Sequence, residues 1–197
     1  MGAIFQSLGR TVIAGVVLLV ILIVLVGATT GTWISGDHAW WTFFMRWLHI
    51  LSGVMWIGLL WYFNFVQTPT MPKIPDEQKP AVSKFILPEA LFWFRWAALS
   101  TVITGLLLAT MNGYIGQALG LTRPFHAIGL GMWMALIMAY NVWFIIWPNQ
   151  KKVIGIVTVD ADQKKLAARN ALWASRFNTM LSIPMLYCMA AQSHGGF

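Results

Sequence analysis

The sequence has few charged residues and a single cysteine. Charged residues make up 10% of the 197 residues, whereas a soluble globular domain carries about 25%, so most of the surface of this chain is not suited to water. The lone cysteine, Cys188, excludes a disulfide framework, a CxxC zinc pair and the CxxCH motif that attaches a c-type haem. Any redox group therefore has to be held by other side chains.

Acidic residues are scarcer than basic ones. The chain has 6 Asp and Glu residues against 13 Lys and Arg residues, which gives a formal net charge of +7. The basic residues fall mostly between apolar runs, where they report membrane topology, and we therefore expect a lipid bilayer and no nucleic acid as partner. Their one-sided distribution predicts that the N-terminus is cytoplasmic and that the C-terminus lies on the outer side.

Hydrophobic residues make up 58% of the chain and are concentrated in five runs. Each run is close to the ~20 residues that a helix needs to cross a bilayer. The runs are, approximately, residues 11–30, 40–66, 88–111, 124–147 and 171–192. The first run is longer than a signal-peptide core and lacks a convincing cleavage site, so we interpret it as a retained helix.

The predicted fold class is all-α integral membrane with about five transmembrane helices. Residues 1–39 are predicted to form an N-terminal transmembrane anchor and an outer loop, and residues 40–197 a four-helix membrane bundle. The segments 67–84 and 148–169, which are rich in lysine and proline or otherwise polar, are predicted to be loops.

An internal repeat relates the second run to the fourth. Six identical pairs align in one register: Arg46 with Arg123, His49 with His126, Met55 with Met132, Trp56 with Trp133, Leu59 with Leu136, and Asn64 with Asn141. We interpret this as a duplicated helix pair, so that the bundle consists of two repeated pairs related by an axis along the membrane normal. The asparagines are predicted to form hydrogen bonds between helices.

The repeat also predicts a b-type haem. The Arg, His and Trp of each copy lie on one face of a helix, and the two-fold axis would bring His49 and His126 level on facing helices. Two imidazoles suit a six-coordinate haem iron, so both histidines are predicted metal ligands. Copper bound through His and Met is an alternative, but the methionines form no closely spaced cluster.

Three further pairs of residues are predicted to complete the cofactor site. The arginines are expected to pair with haem propionates, the glycines to leave room for the flat macrocycle, and the tryptophans to form an apolar wall. These residues are Arg46 and Arg123, Gly53 and Gly129, and Trp56 and Trp133. His194 is a candidate ligand for a second haem or metal, whereas His38 is expected to be a solvated loop residue.

Four stretches resemble the membrane domain of the bacterial urate hydroxylases, the urate oxidase N-terminal family. They are RWLHILSGVMWIG at 46–58, RPFH at 123–126, YNVWFIIWPNQKK at 140–152 and ARNALWASRFNT at 168–179. The resemblance covers approximately residues 40–194 and implies a membrane oxidoreductase that delivers electrons to a c-type cytochrome, fused at the C-terminus in full-length members. It also implies a bacterial inner membrane, in which the predicted orientation makes the C-terminus periplasmic. This chain lacks a CxxCH motif, so the expected cytochrome is a separate partner.

Three functions follow as alternatives. The first is a haem b protein that transfers electrons toward a c-type cytochrome on the outer side, alone or as a subunit of a larger membrane redox complex. The second is a urate hydroxylase-like oxidoreductase, and the third a non-catalytic accessory subunit of a respiratory or photosynthetic complex. No catalytic residue is assigned; weak candidates for orienting a substrate are Thr101, Thr104, Asn178 and Ser182.

Overall fold

Every regular element in the computed structural model, which describes residues 2–196, is a helix. The helices are α1 (Gly2–Phe5), α2 (Leu8–Thr30), α3 (His38–Lys73), α4 (Lys79–Met111), α5 (Ile115–Leu119), α6 (His126–Val153) and α7 (Ala161–His194). The all-α class predicted from the sequence is confirmed.

Four helices of the described chain, α2, α3, α4 and α6, are long and apolar enough to cross a membrane. The fifth predicted span, 171–192, lies in α7, which is long enough at 34 residues but does not belong to this group. Polar residues such as Asn178 and Ser182 lower its hydropathy, and both are buried against other helices. With four such helices, the protein is a membrane protein. Its last helix turns polar groups toward the bundle.

The helices extend further than the sequence predicted. The loop predicted at 67–84 is wrong over most of its length, since α3 continues to Lys73 and α4 begins at Lys79. The loop predicted at 148–169 is likewise reduced to residues 154–160.

Three prolines within the helices follow widened turns. Proline lacks an N–H group, and its ring clashes with the carbonyl group four residues earlier. Three π-helical turns end two residues before a proline, and the wider ring of such a turn relieves both problems. These turns are Tyr62–Gln67, Val82–Ile86 and Asn141–Ile146, ahead of Pro69, Pro88 and Pro148.

The chain divides into two compact units, one up to Phe43 and one from Phe44 onward. In the first unit, Gly27 is the one buried residue of α2. The Trp33 ring lies against it, so that an added Cβ would come within 2.6 Å of Trp33 Cε3. The other side chains of α2 are half-buried or exposed, and a helix that is apolar on all sides suits lipid.

The second unit is a four-helix bundle in which α3, α4, α6 and α7 each contact the next helix antiparallel and α7 closes onto α3. One contact from each interface is Phe63 with Phe94, Trp96 with Trp143, Asn141 with Asn178, and Ser175 with Asn64. The two helices that contain the sequence repeat, α3 and α6, therefore lie diagonally. The core of this bundle includes the fully buried side chains of Trp56, Leu60, Phe94, Met138 and Val142.

Candidate functional site

His49 lies on the face of α3 that contacts α4, and its hydrogen bonds define its tautomer. Its Nδ1 atom is 2.9 Å from the carbonyl oxygen of Thr101. Because a carbonyl oxygen only accepts, Nδ1 carries the hydrogen and donates it. Nε2 is then unprotonated in the neutral ring. A histidine that binds a metal through Nε2 needs this tautomer, and its second nitrogen commonly donates to such a carbonyl group.

The surface of α4 is shaped to receive this imidazole. A Cβ on Gly105 would lie 2.8 Å from Cε1 of His49. The imidazole ring therefore occupies the space that a side chain at position 105 would fill. The Thr104 hydroxyl donates to the Ser100 carbonyl oxygen at 2.6 Å, and its oxygen lies 3.3 Å from Nδ1 of His49. The ring is thus held in one position by main chain and side chain together.

The second histidine, His126, is the exposed first residue of α6. The preceding residue, Phe125, stacks on Tyr114 with 5.0 Å between ring centroids. Burial raises the pKa of Tyr114, and the nearby positive charge of Arg46 partly offsets that effect. The Tyr114–Phe125 stack therefore connects the neighbourhood of Arg46, from the first copy of the repeat, with the start of α6 in the second copy. Arg123 is exposed at this same end.

The two glycines predicted to make room for a macrocycle lie beside different helices, α5 for Gly129 and α4 for Gly53. A Cβ on Gly129 would lie 2.0 Å from the carbonyl oxygen of Ala118, so the backbone of α5 fills the space beside it. Gly53 faces α4, where its Cβ position is 3.9 Å from Cγ2 of Thr101. The open space expected beside Gly129 is therefore absent, because α5 packs there.

The two tryptophans of the repeat occupy different environments. Trp56, two turns after His49, is fully buried, and its Nε1 has no hydrogen-bond partner within the described part of the chain. Trp133 is 45% exposed and donates from Nε1 to the Leu119 carbonyl oxygen at 3.0 Å. The predicted apolar wall is therefore one-sided. The buried Trp56 N–H group is a donor that a bound polar group would satisfy.

The two asparagines of the repeat both bond to α7, which confirms the predicted interhelical hydrogen bonds. Asn64 donates from Nδ2 to Ser175 Oγ at 2.8 Å. Asn141 donates from Nδ2 to Asn178 Oδ1 at 2.8 Å, and Asn178 in turn donates to the Met138 carbonyl oxygen at 2.9 Å. These bonds tie the diagonal helices α3 and α6 to the same partner.

Residues 120–196 match the model of the urate oxidase N-terminal family. The resemblance predicted from the sequence is thereby confirmed for the second half of the chain. The urate oxidase N-terminal segment includes His126, Gly129 and the Asn141–Asn178 pair, whereas His49 and Arg46 precede it. No curated protein and no solved structure matches the chain.

A haem and a bare metal ion need different numbers of ligands from the protein. Within residues 2–196 no three His, Cys, Asp or Glu side chains come together in a way that could hold a metal. A haem supplies four nitrogen ligands itself and needs two from the protein. His49 lies on the α4-facing side of α3 with its Nε2 unprotonated, and His126 is exposed at the start of α6.

The other candidate residues are held within the bundle or lie at its surface. His194 is exposed, and its Nδ1 is 3.0 Å from the Ala190 carbonyl oxygen one turn earlier. His38 was expected in a loop but begins α3. Ser182 donates to the Thr179 carbonyl oxygen and accepts from Trp61, and Thr101 donates to Ala97.

Sequence reasoning missed two features of the site. Gly105, which makes room for His49, has only the signal of an isolated glycine in an apolar helix. The second feature is Arg95, which lies in the predicted run 88–111, is 9% exposed and has its Cζ 3.4 Å from the centroid of the Trp147 ring. A lone arginine within an apolar run was the available signal for Arg95.

Proposed function

We propose that this protein is a membrane b-type haem protein that transfers electrons toward a c-type cytochrome on the periplasmic side of a bacterial inner membrane. His49 and His126 are the proposed iron ligands. The observation that supports this most strongly is the 2.9 Å hydrogen bond from His49 Nδ1 to the Thr101 carbonyl oxygen, because it leaves Nε2 as a lone-pair donor in a partly buried position.

A bis-histidine haem supplies one-electron transfer at its iron, and the residues of the chain bind and orient it. The Thr101 carbonyl group fixes the ring of His49 and increases its basicity. Arg46 and Arg123 place two positive charges near the end of the bundle where α6 begins, where they would offset the charge of the propionates. Trp56, buried two turns after His49, would form part of the apolar wall beside the group.

Haem content tests this proposal directly. The full chain is expressed with an ample haem supply, purified in mild detergent and assayed by pyridine haemochrome and by reduced-minus-oxidised absorption spectra. We expect about one haem b per chain and loss of that haem in His49→Ala. His38→Ala is the matched control, because it removes a histidine of the same helix outside the proposed pair and should retain the haem. A colourless wild-type preparation would refute the proposal.

A second candidate function is supported by the family match. Because residues 120–196 match the urate oxidase N-terminal family, oxidation of urate coupled to reduction of a c-type cytochrome is the reaction to test. The assay adds urate and oxidised cytochrome c to the purified chain and follows the cytochrome spectrum. Reduction that requires both urate and His49 would support this activity. Haem-loaded protein that reduces no cytochrome with urate would remove it and leave the haem proposal intact.

A further inference from the structure

Arg95 is a buried cation within α4. It is 9% exposed, and its guanidinium Cζ lies 3.4 Å from the centroid of the Trp147 ring. Its buried Nη1 atom has no hydrogen-bond partner within residues 2–196. A buried guanidinium normally has its N–H groups paired. Within the described chain, this N–H group of Arg95 has no such partner.

The acidic residues of the chain are engaged elsewhere or lie outside the spans. The two salt bridges of the described chain join Lys79 to Asp76 and Lys165 to Asp162. Glu89, the one acidic residue within the four candidate spans, accepts from Trp93 Nε1 at 3.0 Å. Stacking on a single indole offsets only part of the desolvation cost of a buried cation. None of these contacts pairs an acidic side chain with Arg95, so an anion from outside the chain is the candidate partner.

Two further polar groups lie close to Trp147, one of them near its ring and the other one turn along the helix. Lys151 Nζ lies 5.8 Å from the Trp147 ring centroid. Gln150, one turn after Trp147 on α6, has a buried Oε1 atom without a hydrogen-bond donor in the described chain. We call Arg95, Trp147, Gln150 and Lys151 the Trp147 corner. It combines two positive charges with an unfilled acceptor.

The position of the Trp147 corner in the bundle indicates where its ligand comes from. Trp147 lies roughly 9 Å before the end of α6, at about 1.5 Å per residue. The end of α3, the start of α4, the end of α6 and the start of α7 meet at this end of the antiparallel bundle, and all lysines of the chain lie here. Basic pockets between helices at such a depth bind the head groups of anionic lipids.

We infer that the Trp147 corner binds the phosphate group of an anionic glycerophospholipid with a hydroxylated head group. Arg95 and Lys151 bind the phosphate oxygens, and a head-group hydroxyl donates to Gln150 Oε1. Phosphatidylglycerol has both features, whereas phosphatidylcholine has neither the net negative charge nor the hydroxyl groups. This inference does not depend on the haem.

Thermal unfolding in lipid nanodiscs tests the inference. The full chain is compared in phosphatidylcholine alone, in phosphatidylcholine with phosphatidylglycerol, and in phosphatidylcholine with millimolar inorganic phosphate. We expect phosphatidylglycerol to raise Tm by an amount on the order of a few degrees, and Arg95→Met to lose most of that rise. The matched control is Arg169→Met, which removes an exposed arginine whose Cζ is 5.0 Å from the Trp173 ring centroid and should keep the rise.

The outcomes separate the possible sources of the phosphate. A rise with inorganic phosphate that also requires Arg95 would support a phosphate site filled from solution rather than from lipid. A phosphatidylglycerol effect of equal size in wild type, Arg95→Met and Arg169→Met would overturn the inference, as would no effect of either anion. If Arg95→Met does not fold, Lys151→Ala replaces it, and native mass spectrometry of the wild type should show retained phosphatidylglycerol that this variant loses.

Discussion

His49 donates a hydrogen bond from Nδ1 to the main-chain carbonyl oxygen of Thr101, 2.9 Å away on the neighbouring helix. The bond joins a side chain of α3 to a carbonyl group that is also part of the α4 helix. It fixes the ring against Gly105 and leaves Nε2 with a free lone pair. The imidazole of His49, the proposed ligand, is thus oriented before any metal binds.

Gly105→Ala tests whether the helix contact is built around the imidazole. An added Cβ would lie 2.8 Å from His49 Cε1 and 3.1 Å from Nδ1, so we expect the free energy of unfolding to fall by about 1–3 kcal/mol through overpacking. The control is Gly58→Ala on α3, where nothing lies within 4 Å of the added Cβ. Unfolding of both variants in detergent measures the difference. Equal stability of the two would show that the ring can move away freely.

Gly129→Ala tests the role of the second glycine. The added Cβ would lie 2.0 Å from the Ala118 carbonyl oxygen, and a backbone atom cannot rotate away, so we expect a loss of about 3 kcal/mol of stability. The loss should be the same with and without haem. Gly116→Ala, whose Cβ meets nothing within 4 Å, is the comparison. A variant that is stable but binds haem poorly would restore the cofactor role first predicted for Gly129.

The buried pair of Asn141 and Asn178 is suited to a double-mutant cycle. Replacing either residue with leucine removes the hydrogen bond between them and leaves the partner atom of that bond unpaired, which costs about 1–3 kcal/mol in buried sites. Double-mutant cycles give about 0.6 kcal/mol on average for such bonds within membranes. We expect the double variant to be more stable than the sum of the two single losses predicts. Unfolding equilibria in mixed micelles give the four free energies. Additive losses would indicate that the amides do not interact.

The raised pKa of Tyr114 predicts that the stability of the protein depends on pH in the alkaline range. Burial raises its pKa, so its contribution to stability is fully present below about pH 10, the ordinary value of tyrosine, and is lost as the pH rises through the higher pKa of the folded state. Arg46→Gln should raise the Tyr114 pKa further, because the arginine charge favours the phenolate.

The phenolate absorbance of wild type minus that of Tyr114→Phe isolates this titration from the other tyrosines. Arg176→Gln on α7 is the control, since Arg176 is not among the charges that act on Tyr114. A Tyr114 pKa that does not respond to Arg46→Gln would contradict the proximity of Arg46 to the Tyr114–Phe125 stack.

The helical class and the asparagine bonds could be predicted from the sequence, because both follow from local composition. Long apolar runs with few charges have to be helices in a bilayer, and an asparagine at membrane depth needs a partner on another helix. Helix ends near Pro69 and Pro148 could not be predicted, because the π-helical turns that accommodate these prolines leave no simple sequence signal.

The orientation of the second repeat copy was also beyond sequence reasoning. The pattern shared by the two copies suggested equivalent faces, yet the face of α6 with Gly129 and Trp133 turns toward α5. In the first copy the face with Gly53 turns toward α4. The short helix α5 packs beside the second copy only and so changes what that copy contacts. The alignment of identical residues contains no information about the position of α5.

The central claim, that His49 and His126 both bind one haem iron, is tested most directly by electron paramagnetic resonance of the oxidised, haem-loaded protein. We predict a low-spin ferric signal in the wild type, as two imidazole ligands produce, and its conversion to a high-spin signal or its loss in both His49→Ala and His126→Ala. Low-spin haem that persists unchanged in either variant would contradict the account.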